Sequence, residues 1–156
     1  MPLDVGSKAP DFELPTDDGG TLTLAALHGA GAVVVLYFYP KDDTPGCTNE
    51  AKDFSALKNE FGKAGAVIIG ASRDTVAKHA KFRAKYELTI PLGSDPDARV
   101  IEAYESWVPK VLYGREYMGI DRATFLIDAQ GVIRRIWRKV KVTGHAAEVL
   151  AAVNAL

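Results

Sequence analysis

Cys47 is the only cysteine among the 156 residues, and it stands in the run Tyr37-Phe38-Tyr39-Pro40-Lys41-Asp42-Asp43-Thr44-Pro45-Gly46-Cys47-Thr48. A lone cysteine cannot staple a fold, so reactivity is the chemistry to ask of it, and a reducing compartment suits it. Thr44 is a good helix N-cap and Pro45 a favoured first helical residue, which places Gly46 and Cys47 in a first turn. There the free backbone N–H groups and the positive end of the helix dipole favour a thiolate. Gly46 also leaves space for a ligand to approach the backbone.

A peroxide is one electrophile such a thiolate could attack, and thiolate population alone would account for only part of a fast reaction with it. Moving a thiol pKa from about 8.5 to about 6 raises the thiolate fraction at neutral pH roughly 30-fold, or about 2 kcal/mol of barrier. Negative charge passes from sulfur to the peroxide oxygens as the O–O bond breaks. Fixed donors aimed at those oxygens, an arginine and backbone N–H groups, are therefore the efficient device.

Other residues invite other chemistries and hold up less well. Glu50 occupies the place where a Cys-x-x-Cys dithiol has its second sulfur, which argues against a thioredoxin-type oxidoreductase. His28, His79 and His145 lack the spacing of a zinc site, and His145 reads as structural. Asp42 and Asp43 would oppose a thiolate if they pointed inward, so they are expected to face water. Arg134, Arg135, Arg138, Lys139 and Lys141 with Trp137 resemble a nucleic-acid strip, but strand alternation puts neighbouring charges on opposite faces. Trp107, Tyr113 and Tyr117 read as core packing or as the lining of an interface or pocket.

The elements that must position Cys47 follow from periodicity. Lys8 to Leu27 reads as a hairpin turning at Asp17-Asp18-Gly19-Gly20. Val33 to Phe38 is a continuous β-branched and aromatic run, the pattern of a strand buried on both faces. Ala51, Phe54, Leu57 and Phe61 recur at helical spacing, predicting one helix from Cys47 to Phe61 that Gly62 and Gly65 end. A strand over Ala66 to Ala71 and a helix through Val76, Ala80 and Tyr86, capped by Asp74, continue the series. Ile90 to Leu92 reads as a short strand and Pro96 to Tyr104 as a short helix. Ala123 to Ile127 and Val132 to Trp137 read as strands joined by a turn at Asp128 to Gly131, and a last helix follows Gly144. The order gives an α/β chain, a mixed sheet with helices on both faces. A thioredoxin-like and a small flavodoxin-like arrangement both satisfy that order, because periodicity does not fix strand order.

Composition narrows the class further. An apolar content of 47% in 156 residues supports one sizeable core and one expected domain, residues 1–156. A net charge of −1 from 19 basic and 20 acidic residues offers no attraction to nucleic acid or anionic membrane. The start, Met1-Pro2-Leu3-Asp4, lacks the basic-then-apolar run of a signal peptide, and Gly31 to Tyr39 falls far short of the ~20 apolar residues that cross a bilayer. A cytoplasmic location is expected.

Pro40, Thr44 and Cys47 meet the signature Pro-x-x-x-Thr-x-x-Cys, and here the chain resembles the peroxiredoxins. Phe38 to Thr48, Lys110 to Asp128 and Lys139-Val-Lys-Val-Thr-Gly-His145 look like the bacterioferritin comigratory protein subgroup, and the likeness runs from Gly6-Ser-Lys-Ala-Pro-Asp-Phe12 to the last helix. The resemblance implies a thioredoxin-like fold and a thiol-dependent peroxidase with no metal or organic cofactor. It makes Cys47 the peroxidatic nucleophile, Thr44 a hydroxyl partner of thiolate and peroxide, Pro40 a lid and Arg122 the guanidinium. Subgroup members often carry a resolving cysteine five residues after the first or in the next helix. Those places here hold Lys52 and Arg83. The implied cycle therefore uses one cysteine and an external thiol (thioredoxin, glutaredoxin or glutathione), in a monomer or homodimer. A peroxide sensor or redox-binding module with little turnover is the alternative.

Overall fold

The computed structural model describes residues 2–156. Five strands form the central sheet in the order β5-β4-β3-β8-β9, where β3 is Val33–Phe38, β4 Ala66–Ser72, β5 Leu92–Ser94, β8 Ala123–Ile127 and β9 Ile133–Trp137. β3 pairs parallel with β4 and antiparallel with β8, so the strand read as buried on both faces lies in the middle of the sheet. Its alternation divides the interior. Val34, Leu36 and Phe38 face one core with Leu14, Tyr104 and Phe125, while Val35, Tyr37 and Tyr39 face another with Cys47, Phe54, Phe61 and Phe82. Both cores exclude water because every side chain on such a strand is apolar and period two sends it to one face or the other.

Helices α2 (Pro45–Ala56), α3 (Lys58–Lys63), α4 (Val76–Tyr86) and α6 (His145–Asn154) contribute buried side chains to the second core. The first core takes residues from α1 (Leu24–Gly29), α5 (Arg99–Ala103) and the hairpin β1 (Glu13–Pro15) and β2 (Thr21–Thr23). This is the mixed sheet with helices on both faces, and its arrangement is thioredoxin-like rather than flavodoxin-like. Tyr37 lies against Gly70 on β4, where a Cβ would stand 2.7 Å from the phenol ring, so only glycine admits it.

Several boundaries depart from the pattern-based expectation. The helix expected to run from Cys47 to Phe61 breaks at Leu57, which leaves helical geometry at φ −99° and ψ 5°, and Thr89 ties down the end of α2 by donating to the Ser55 hydroxyl and carbonyl (3.1 and 3.3 Å). Thr75, not Asp74, caps α4 by accepting from Lys78 N. The short strand begins at Leu92 rather than Ile90, whose carbonyl is taken by Arg83 Nη2 at 2.7 Å. The helix expected over Pro96 to Tyr104 is confined to Arg99–Ala103, since Ala98 sits in the left-handed region at φ 60°.

A hairpin that periodicity did not reveal lies between α5 and β8. It consists of β6 (Trp107–Leu112) and β7 (Arg115–Ile120), which pair only with each other. Its turn, Tyr113-Gly114, has positive φ at both residues, 52° and 75°, the mirror-image turn that matches strand twist.

Candidate active site

β3 delivers the chain to Tyr39, the segment Pro40 to Thr44 crosses the end of the sheet, and α2 begins at Pro45. Thr44 occupies the N-cap position and Thr48 N bonds its carbonyl at 2.8 Å, so Cys47 lies in the first turn as expected. The Thr44 hydroxyl itself does not cap. It donates to Lys41 O at 2.8 Å, closing the turn ahead of the helix, and among the described residues it makes no hydrogen bond to the thiol. Pro45 has no N–H to offer, and among the described residues no side chain caps the first turn.

Cys47 is 2% exposed and unpaired. Arg122, between β7 and β8, reaches it across the sheet end: Nη2 donates to Sγ at 3.3 Å. Gly46 leaves room for this approach, since a Cβ there would make a tight 3.2 Å contact with that same Nη2. The other arm of the guanidinium, Nη1, donates to Glu50 Oε1 at 2.7 Å. One cation thus serves two acidic groups spaced three residues apart on one face of α2, which is what i, i+3 spacing provides.

Glu50 is 1% exposed, and its second oxygen, Oε2, has no hydrogen-bond partner among the described residues. Burial pushes its carboxyl up to about 7, although the Arg122 charge and hydrogen bond pull the other way. In the sequence Glu50 stands out only as an absent sulfur. Its position one turn after Cys47 is the signal that could have found it, because a carboxylate on the buried face of a helix requires a cation.

Asp42 does not face water, contrary to expectation. It is buried, accepts from Tyr39 OH at 2.6 Å and lies 2.7 Å from His79 Nδ1, and its amide donates to Asp74 Oδ2 at 2.8 Å. His79 Nε2 lies 3.0 Å from Gly93 O, so the ring sits between two acceptors and ties the segment before Cys47 to α4 and β5. Asp43 is exposed but held by Lys85 and Tyr86, and it adopts φ 58°. His145, also buried, bonds Thr124 Oγ1 at 2.8 Å and packs edge-on to Phe54 and Trp137. Burial lowers its pKa, which suits a neutral packing role.

Pro40 is exposed and lines a cleft of about 420 Å³ with Lys41, Trp107, Met118 and Ile120. Lys52 is exposed on α2. Arg83 holds structure together, pairing with Asp17 and donating to the carbonyls of Leu88 and Ile90.

The site is thus a buried, cation-paired cysteine in the first turn of a helix that follows a central strand. The AhpC/TSA family profile matches residues 5–136. The putative peroxiredoxin bcp of Coxiella burnetii is 52% identical over 150 residues, covering 96% of this chain and 98% of that protein. Peroxiredoxin Bcp of Bacillus subtilis is 49% identical over 154 residues, covering 99% and 97%. A structure of Xanthomonas campestris bacterioferritin comigratory protein, concerned with its alkyl peroxide reduction activity, superposes with a TM-score of 0.90 at 46% identity, covering 97% and 98%. The chain belongs to the AhpC/TSA family, within its bacterioferritin comigratory protein group of peroxiredoxins, and its single cysteine leaves it without a resolving partner.

Proposed function

We propose that the chain reduces hydroperoxides through Cys47 and is restored by an external thiol. The thiolate attacks one peroxide oxygen, the O–O bond breaks, Cys47 becomes a sulfenic acid, and the departing alkoxide or hydroxide takes a proton to leave as alcohol or water. A thiol then attacks the sulfenic sulfur, water leaves, and a mixed disulfide forms. A second thiol releases Cys47 and carries off the disulfide.

The observation that carries this reading is the 3.3 Å contact between Arg122 Nη2 and Cys47 Sγ, opened by Gly46. In the reaction Arg122 orients the thiolate and then meets the charge that develops on the peroxide. Thr44 fixes the turn through Lys41 O, and its hydroxyl swings to the peroxide once substrate arrives. Pro40 serves as the lid on the cleft side. Glu50 holds Arg122 by its second arm as a positioning residue. The chain works as one thioredoxin-like domain in a reducing, cytoplasmic setting. Hydrogen peroxide and alkyl hydroperoxides are its substrates, a reading supported by the alkyl peroxide reduction activity of the Xanthomonas campestris protein.

Steady-state peroxide consumption with a thiol reductant tests the reading. Multiple turnovers per Cys47 are expected. A single equivalent consumed, whatever the thiol, would assign the chain to peroxide sensing instead.

A further inference from the structure

The β6–β7 hairpin carries most of the exposed large apolar side chains of the described residues: Val111, Leu112, Tyr113, Tyr117 and Met118. Tyr113 is 96% exposed at the tip. It also holds φ 52°, a left-handed conformation that non-glycine residues seldom adopt. A strained, fully exposed aromatic at the end of a self-paired hairpin adds nothing to the core. Anchors of protein interfaces have this character, since Tyr and Met are enriched where surfaces dock.

The hairpin is joined to the active site. β7 runs through Ile120 and Asp121 directly into Arg122, and its residues Tyr117, Met118 and Ile120 line the cleft that Pro40 borders. Cations surround that cleft and the neighbouring one at Asp43: Lys41, Arg73, Lys78, Lys81, Lys85 and Lys110. Asp43 pairs with Lys85, and Asp74 lies 4.0 Å from Lys78. Among the described residues, Lys41, Arg73, Lys81 and Lys110 have no ion-pair partner, on a chain whose net charge is −1. Set against Asp42, Asp43 and Asp74, the six cations leave the rim of the active-site segment locally positive.

We infer that the hairpin and this basic rim form the docking surface for the external reductant, and that the reductant is an acidic thiol protein presenting an apolar patch beside its sulfur. This rests on the reading of Cys47 as a nucleophile that an outside thiol restores. Cys47 is almost wholly buried, so a protein reductant must be held at this edge while its sulfur reaches the sulfenic acid. A second copy of the chain is a poor occupant. A two-fold contact through this face would set the lysines of one copy against those of the other, and like-charge juxtaposition opposes association.

The test uses the full chain, a reduced thioredoxin of acidic isoelectric point, and dithiothreitol as an uncharged thiol. Cys47 is oxidised with one equivalent of hydrogen peroxide, and reduction by each thiol is followed by stopped flow. The double variant Lys81→Glu with Lys110→Glu is expected to slow reduction by thioredoxin on the order of tenfold and to abolish its salt dependence. Tyr113→Ser is expected to raise the thioredoxin KM. Peroxide oxidation and dithiothreitol reduction should stay at the parent rate in both. The proposal is overturned by an unchanged thioredoxin rate in the variants, by an equal loss with dithiothreitol, or by thioredoxin no faster than dithiothreitol in the parent. It is also overturned by a parent dimer, seen in sedimentation, that the charge reversals dissolve. Failure of the parent Cys47 to oxidise at all would instead overturn the peroxidase reading, before any reductant is added.

Discussion

Arg122 Nη2 stands 3.3 Å from Cys47 Sγ across a separation of 75 residues, and its other arm holds Glu50 at 2.7 Å. The cation is committed to the sulfur before any substrate arrives, so in the proposed reaction little reorganisation is needed when charge moves onto the peroxide. Cys47→Ser keeps a small acceptor for Nη2 but no group ionised near neutral pH. It is expected to abolish peroxide reduction while circular dichroism stays that of the parent. Turnover in the purified variant would remove Cys47 from the mechanism.

Arg122→Met deletes both arms. Oxidation of Cys47 by peroxide, measured by stopped flow, is expected to fall by about 10² to 10³, the usual cost of one charge-stabilising donor. Arg122→Lys should recover little of this, because a single ammonium cannot span Cys47 and Glu50 as the planar fork does. Near-parent rates in Arg122→Lys would show that charge alone, without the bidentate geometry, suffices.

Most of the frame is legible in the sequence. Val33 to Phe38 forms the central strand because a run apolar at every position has nowhere else to go, and Thr44-Pro45 starts α2 where the capping preferences put it. The hairpin β6–β7 escapes such a reading, since Trp107 to Ile120 is mostly exposed and shows no clean alternation of buried and exposed positions. Its one local signal is Tyr113-Gly114. The pairing of Asp42 with His79 is illegible for a different reason: it is a contact across 37 residues between a loop and a helix, and no local spacing encodes it. Arg122 comes from the family pattern alone, because nothing near it in the sequence marks it as the partner of Cys47.

Glu50 sets a pH dependence on stability. Its carboxyl is raised by burial from 4.5 to about 7 in the folded chain, so between those values the unfolded chain loses the proton first. The contribution of Glu50 to stability is fully present below about pH 4.5 and is lost as pH rises through about 7, on the order of 3 kcal/mol. Glu50→Gln keeps the acceptor for Arg122 Nη1 and removes the titration. Its denaturation midpoint should therefore exceed that of the parent at pH 8 and converge with it near pH 5. A parent-like slope in Glu50→Gln would place the titration elsewhere.

Thr44 offers a finer test of the loop. Its hydroxyl bonds Lys41 O at 2.8 Å, so Thr44→Val loses the bond that closes the turn and any hydroxyl for the peroxide, whereas Thr44→Ser keeps both. Peroxide oxidation of Cys47 should be slowed more by valine than by serine. Equal slowing would mean that the methyl group, not the hydroxyl, is what the site uses.

The missing second cysteine leads to the last prediction. Once oxidised, Cys47 can stay a sulfenic acid, take up further oxygen, or join a thiol from outside, and no intrachain disulfide can form at any peroxide dose. Excess peroxide without reductant should inactivate the chain with a mass gain of two or three oxygens, and an added thiol should protect it through a mixed disulfide. Arg83 cannot simply be exchanged for cysteine, because its side chain pairs with Asp17 and caps two carbonyls. Lys52 is exposed and free of such duties, so Lys52→Cys is the clean way to install a resolving thiol. Five residues apart on an intact helix, the two Cα atoms stand about 9 Å apart, beyond the roughly 7 Å a disulfide spans. The first turns of α2 must therefore unwind for the bond to close. Under excess peroxide Lys52→Cys should lose two hydrogens instead of gaining oxygens, with a matching loss of helical circular dichroism. Overoxidation in Lys52→Cys at the parent rate would mean that α2 is too stable to open.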